Sequence, residues 1–200
     1  MEASVNLEQR NELLQQMLET EMGGVTVYET ALTCVVNEEL KNEWEKYLDQ
    51  TKRHVEIVTT LMSELGVPPT ETPGREVVRH IGGSLVAAMK LAKGTAPPEA
   101  AEIVACECVV HAETKDHSNW DLLTLYAEAA RGAEKKAIQT ALDEIENEEE
   151  EHLYHSKGWW RELAIASLGM KAVLPPPEER KDVKTAIGAS RAEHARKEML

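Results

Sequence analysis

The chain has 200 residues, of which 42% are apolar and 29% charged, and this is the composition of a folded globular protein rather than a disordered one. Its 36 acidic and 22 basic side chains give a formal net charge of −14, which would repel a nucleic-acid backbone. No apolar run approaches the roughly 20 residues that span a bilayer. The first 20 residues lack the basic start and apolar core of a secretory signal. We therefore expect a cytoplasmic protein that binds neither nucleic acid nor membranes.

Glycine and proline residues divide the chain into long segments rich in Glu, Ala, Leu, Lys and Gln, and no segment alternates as a strand would. These segments predict four long helices, over residues 4–36, 37–65, 97–131 and 133–168. The first and second helices meet almost without a loop, as do the third and fourth. Each pair is therefore expected to form an antiparallel hairpin.

The two predicted hairpins are joined by a long connection, residues 66–97, whose apolar stretch 81–89 predicts one short helix. Nine residues are too few to span a membrane, although a membrane-active segment is the alternative for this stretch. The chain is thus predicted to be all-α, with a four-helix bundle over residues 1–170 of ferritin-like connectivity. Residues 171–200 are predicted to be a proline-rich linker and a helical tail, docked on the bundle or on a neighbouring subunit.

Polar residues interrupt the apolar stripe of each predicted helix near its middle. A buried carboxylate without a partner costs several kcal/mol or becomes protonated, so several in one core require compensation, which divalent cations can supply. The interruptions, in chain order, are Glu21; Gln50, Thr51 and His54; Glu113, Asp116 and His117; and Glu149 and His152.

Glu149 and His152 lie three residues apart, so both side chains occupy one face of a helix and can bind one ion. Glu-x-x-His on two helices, with a single Glu on each of the other two, is the arrangement of ligands in di-iron and di-manganese bundles. The fourth helix is crowded with glutamates between residues 144 and 151, so a solvated charged face is the alternative for this motif alone. The agreement of four helices favours a metal site.

At these residues the chain resembles the ferritin-like superfamily, in particular its rubrerythrin and bacterioferritin branch, over about residues 5–168. The resemblance rests on two half-motifs, each with a Glu, an aromatic residue seven positions later and a His in the next helix: Glu21, Tyr28 and His54, then Glu113, Trp120 and His152. It implies two metal ions, with iron expected and manganese or zinc as alternatives. The implied metal ligands are Glu21, His54, Glu113, Glu149 and His152, and the implied assembly is a homo-oligomer.

The chain departs from the family pattern at Thr51, where a Glu three residues before His54 would be expected. Four carboxylates balance two divalent ions, and the implied ligands supply only three. Asp116, one turn after Glu113, is the best replacement, and His117 is a further candidate ligand. A polar pair at the bundle surface is the alternative for these two residues.

Two polar residues beside the implied ligands have weaker claims. His155 is expected either next to the ligands or exposed. Gln50 is expected to face solvent rather than to bond a ligand.

The leading hypothesis for the function is an oxidoreductase of the peroxidase or ferroxidase type, in which a dinuclear site acts on dioxygen, peroxide or Fe(II). Glu21 and Glu149 with His152 would hold one ion, and Glu113 with His54 the other. No pair of CxxC motifs follows the bundle, so a peroxidase would need a separate electron donor. The alternatives are ferritin-type iron storage and a structural or interaction protein whose metal site is incomplete or lost.

Overall fold

The computed structural model describes residues 6–180 and 185–200, apart from the side chains of residues 146 and 147. Over these residues the chain is helical and contains no strand, as predicted, and no described helix has the length and apolar character needed to cross a membrane. The predicted helix start at Ser4 lies outside the described residues. The helices are α1 (Leu7–Ala31), α2 (Glu38–Glu64), α3 (Pro73–Thr95), α4 (Pro98–Ala129), α5 (Gly132–Ser167), α6 (Pro177–Arg180) and α7 (Ala186–Met199).

Helices α1, α2, α4 and α5 form a four-helix bundle, in which α1 and α5 each pack against both α2 and α4. Its interior holds two separate apolar clusters. One includes Leu14, Leu61, Leu123 and Ile138, and the other includes Val27, Trp44, Val109 and Trp159. Helices α1 and α5 reach the first cluster before the second, whereas α2 and α4 reach the second before the first. Helix α1 is therefore antiparallel to α2, and α4 is antiparallel to α5, whereas α2 and α4 run in the same direction and are joined by the long connection.

The polar interruptions of the four apolar stripes lie between these two clusters. On α1, for example, Glu21 lies between Leu18 of the first cluster and Val27 of the second. The same order holds on α4, where Glu113 lies between Val109 and Trp120. The bundle thus places a polar layer between two apolar layers, and each bundle helix contributes to it.

The connection between the hairpins differs from the prediction, because α3 is a 23-residue helix that packs against α1 and α4. Thr72 caps its start and Pro73 occupies its first turn, as prolines often do. The first half of α3 is held by ion pairs with α1 rather than by an apolar stripe. Arg75 and Arg79 each donate a hydrogen bond to the buried carboxylate of Glu19, at 2.6 and 2.8 Å. The apolar pattern at 81–89 therefore indicated only the middle of the helix.

The tail is joined to α5 by buried ion pairs. Arg161 donates to Glu178 of α6 at 2.7 Å, and Arg196 of α7 bonds the fully buried Glu162. On α5, Trp159 is buried and Trp160 is 37% exposed, because the helix turns its Trp159 face toward Glu43 of α2.

The loop between α1 and α2 depends on one buried carboxylate of α4. Glu102 Oε1 accepts hydrogen bonds from the backbone N–H groups of Val36 and Asn37 at 2.8 and 2.6 Å.

Removing the Glu102 carboxylate by Glu102→Ala leaves both N–H donors unpaired, so we expect the free energy of unfolding to fall by about 2–3 kcal/mol. Urea unfolding measures this change. Glu107→Ala, at an exposed position of the same helix, is the control, and an equal loss in both variants would contradict the assignment.

Candidate metal centre

One side chain from each bundle helix meets in the polar layer. Glu21, His54, Asp116 and Glu149 are all buried, and each offers an atom within 4.8 Å of the others. His54 Nδ1 lies 2.9 Å from Glu149 Oε1 and 3.7 Å from Glu21 Oε2. These four residues, called here the ligand cluster, join one imidazole and three carboxylates.

Glu113 and His152 lie beside the ligand cluster. His152 Nδ1 is 3.7 Å from Glu113 Oε2, and the rings of His152 and His54 are stacked with centroids 5.7 Å apart. The sequence analysis had paired His152 with Glu21 and His54 with Glu113. The distances instead pair His54 with Glu21 and His152 with Glu113. The reason is that α1 packs against α2 and α4 against α5, whereas among the described residues α1 does not pack against α5 and α2 does not pack against α4.

Many polar atoms of this layer have no hydrogen-bond partner among the described residues. This is unusual for buried polar atoms, nearly all of which are hydrogen-bonded. The unpaired atoms are Glu21 Oε2, His54 Nδ1, Glu113 Oε2, Asp116 Oδ1 and both carboxylate oxygens of Glu149. Nitrogen and oxygen donors of this kind suit divalent iron, manganese or zinc. The residues present therefore fit a pair of metal ions.

Asp116 supplies the carboxylate that Thr51 does not. Thr51 is buried, but its hydroxyl donates to the backbone carbonyl of Tyr47 at 2.9 Å, and its methyl group faces Gly24 of α1. Asp116 instead belongs to the ligand cluster, one helical turn after Glu113. With Asp116 included, four carboxylates face the layer, which is the number that balances two divalent ions.

Without metal, protons must compensate the buried negative charge. Burial raises the pKa of Glu21 to about 7, and burial together with Glu149 and Glu21 raises the pKa of Asp116 well above its usual range. Although burial opposes it, the nearby carboxylates of Glu148, Glu149 and Glu21 raise the pKa of His54 to about 12. For Glu149 the effect of burial is outweighed by His54, and its pKa is lowered.

The inward carboxylates are oriented by two aromatic residues. Tyr28 Oη donates to Glu113 Oε1 at 2.6 Å, and Trp120 Nε1 donates to Glu21 Oε1 at 3.0 Å. The sequence identifies both aromatic residues by their spacing of seven positions from Glu21 and Glu113, but residue type and spacing do not reveal these hydrogen bonds. Each bond occupies one oxygen of a carboxylate and leaves the other directed at the layer.

The outer nitrogens of the two histidines are also bonded. His54 Nε2 lies 2.8 Å from Glu148 Oε2, and His152 Nε2 lies 3.0 Å from Gln50 Oε1. Gln50 was expected to face solvent, and this expectation was wrong because its amide reaches across from α2 to α5. Both histidines therefore present Nδ1 to the layer.

A cavity of about 370 Å³ between α4 and α5 reaches Glu149 of the ligand cluster. Apolar side chains line part of its wall, among them Trp120, Leu142 and Ile145. His117, the second candidate from α4, also lines this cavity. Its ring nitrogens lie 3.3 Å from Asp121 and 3.7 Å from Glu150, and it is not a member of the ligand cluster.

His155 is buried but belongs to a separate group. Its Nδ1 lies 3.0 Å from Glu43 Oε1 and contacts Glu179 of α6. Burial would lower the pKa of His155, but Glu179 and Glu43 raise it to about 10. An imidazolium between two carboxylates therefore joins α2, α5 and α6. No local sequence pattern indicates this group, because Glu43 and Glu179 lie 136 positions apart.

The family model described as "Ubiquinone biosynthesis protein COQ7" matches residues 12–167, which contain all six residues of the polar layer. The chain belongs to the COQ7 family. COQ7 is a di-iron carboxylate family of the ferritin-like superfamily, so the resemblance to ferritin-like di-metal carboxylate proteins is confirmed. No curated protein sequence and no solved structure matches the chain.

Metal and protons compete for the same atoms of the ligand cluster, so we expect metal affinity to rise with pH. Below the pKa of Glu21, at about 7, that carboxylate holds a proton that the metal must displace. At neutral pH the metal must also displace a proton from His54, whose pKa is about 12. Calorimetric titration with Mn(II) at pH 6 and pH 8 in buffers of different ionisation enthalpy measures the affinity and the protons released. Equal affinity at both pH values without proton release would contradict this assignment.

Proposed function

We propose that this COQ7-family chain is an oxygen-dependent di-iron hydroxylase, in which the polar layer holds both ions and the cavity between α4 and α5 admits the substrate. The observation that carries the proposal is the set of unpaired buried oxygens and Nδ1 that converge in the layer. Reduced iron bound there would supply electrons to dioxygen.

The proposed ligands are Glu21, His54, Asp116 and Glu149 around one ion, and Glu113 with His152 at the other. Glu149 has two unpaired oxygens, so it is the residue best suited to reach both ions. The distance from His152 Nδ1 to Glu113 Oε2, 3.7 Å, leaves room for an ion between the two side chains.

The cavity supports an apolar, aromatic substrate. Its wall includes the apolar side chains of Trp120, Leu142 and Ile145. The wall also includes Glu149, so a bound substrate would lie next to the ligand cluster. The family description refers to ubiquinone biosynthesis, so we propose a quinone or phenol precursor as the substrate class. In the overall reaction one oxygen atom of dioxygen enters a new C–O bond and the other leaves as water. A separate reductant supplies two electrons.

Two other functions make different demands on the same residues. Ferroxidase or peroxidase activity would use the polar layer but not the cavity. A structural protein that had lost its metal would need neither. Asp116 argues against a lost metal site, because a buried carboxylate next to Glu149 and Glu21 destabilises the fold unless a cation compensates its charge.

Isotope labelling tests the proposed reaction. We expect protein loaded with Fe(II) to incorporate one atom of ¹⁸O₂ into a soluble phenol or quinol added with a chemical reductant, as measured by mass spectrometry. Glu149→Ala should abolish incorporation because the ligand cluster loses both unpaired oxygens, whereas Glu144→Ala, at an exposed site of α5, should not. Oxygen consumption without labelled product would favour a ferroxidase, and failure to bind iron would favour a structural protein.

The role of Asp116 is tested together with Thr51. Asp116→Ala should weaken binding of Fe(II) by about tenfold or more, since one carboxylate is lost. Thr51→Glu alone should leave affinity level or lower it, because a fifth carboxylate crowds a balanced layer. In the Asp116→Ala background, however, Thr51→Glu should restore affinity. Anaerobic titration of the four proteins measures this, and a gain from Thr51→Glu in the native background would show that Asp116 does not fill the position.

A further inference from the structure

We infer that Glu148 is a positioning residue for His54 of the polar layer, that Gln50 has the same role for His152, and that this difference in partners makes the two metal positions unequal. The inference rests on the proposed metal site but goes beyond it. It concerns a residue that the four apolar stripes do not contain, and it predicts the order in which the two positions fill.

The direct contact is between His54 and Glu148. His54 is fully buried on α2, and its Nε2 lies 2.8 Å from Glu148 Oε2 on α5. Glu148 itself is partly exposed, and it also bonds the guanidinium of Arg53. An imidazole nitrogen that donates to a carboxylate must carry hydrogen, so the other nitrogen, Nδ1, is free to bind metal.

His152 has a different partner, the amide of Gln50 on α2. The carbonyl oxygen of Gln50 lies 3.0 Å from His152 Nε2. An amide oxygen only accepts hydrogen bonds, so this contact requires a hydrogen on His152 Nε2 and leaves Nδ1 free to bind metal. A carboxylate thus orients the imidazole of His54, and a neutral amide orients that of His152.

The two histidines therefore have different partners. A carboxylate that accepts from a metal-bound imidazole makes that imidazole a stronger ligand than a neutral amide does. The position next to His54 is also the one that Glu21, Asp116 and Glu149 surround. We therefore expect the His54 position to bind metal first and more tightly, and the His152 position to fill second.

Titration of the full chain with Co(II), followed by visible absorbance, tests this order. Native protein should bind two equivalents in two resolved steps. Glu148→Gln should weaken the first step by about tenfold or more, the usual effect of losing an outer partner of a metal-bound histidine. Glu148→Asp should recover part of that loss. Gln50→Met should weaken the second step and leave the first unchanged.

Glu144→Gln is the matched control, because it removes the same charge from an exposed position of α5. If Glu148 acted only through the stability of the fold or through long-range attraction of cations to the acidic surface, Glu148→Gln would weaken both binding steps. Glu144→Gln would then show a similar effect. That result, or two equal steps in the native protein, would overturn the inference while leaving the metal site intact. No binding of Co(II) by the native protein would overturn the proposed function as well.

Discussion

The structure depends on the burial of four carboxylates in one layer of the bundle, between two apolar clusters. Glu21, Glu113, Asp116 and Glu149 are each at most 7% exposed, yet at least one oxygen of each lacks a hydrogen-bond partner among the described residues. Such an arrangement is costly unless positive charge enters the layer. Protons can provide it in part, which is why the pKa values of Glu21 and Asp116 are raised. Two divalent ions provide it in full.

Charge balance also explains the departure at Thr51. The carboxylate that α2 lacks is supplied from α4, where Asp116 follows Glu113 by one turn. Thr51 is satisfied locally by the Tyr47 carbonyl, so its presence leaves no unpaired group in the layer. The layer thereby holds four carboxylates although α2 contributes none. Three of the four, Glu21, Asp116 and Glu149, lie around His54.

Much of this could be predicted from the sequence, because the apolar stripes of long helices are regular and their polar interruptions are conspicuous. Glu21, His54, Glu113, Glu149 and His152 were identified as interruptions in this way, and the structure places all five side chains in the polar layer. Only the structure distinguishes Asp116, which belongs to the ligand cluster, from His117, which does not. Adjacent residues on a helix point about 100° apart, so from the sequence either one could have faced the core. The full length of α3 was missed because Arg75 and Arg79 hold it by ion pairs rather than by an apolar stripe. Glu148 and Gln50 were missed for a related reason, since their role depends on contacts between α2 and α5 that no local pattern records.

The most direct measurement is anomalous diffraction at the iron edge from crystals prepared anaerobically with Fe(II). We expect two peaks within the polar layer, about 3.5–4 Å apart as in other two-metal sites. One peak should lie next to His54 Nδ1 with Asp116 as a ligand, and the other between Glu113 and His152. A single peak, a peak outside the layer, or an Asp116 side chain turned away from both ions would contradict this expectation.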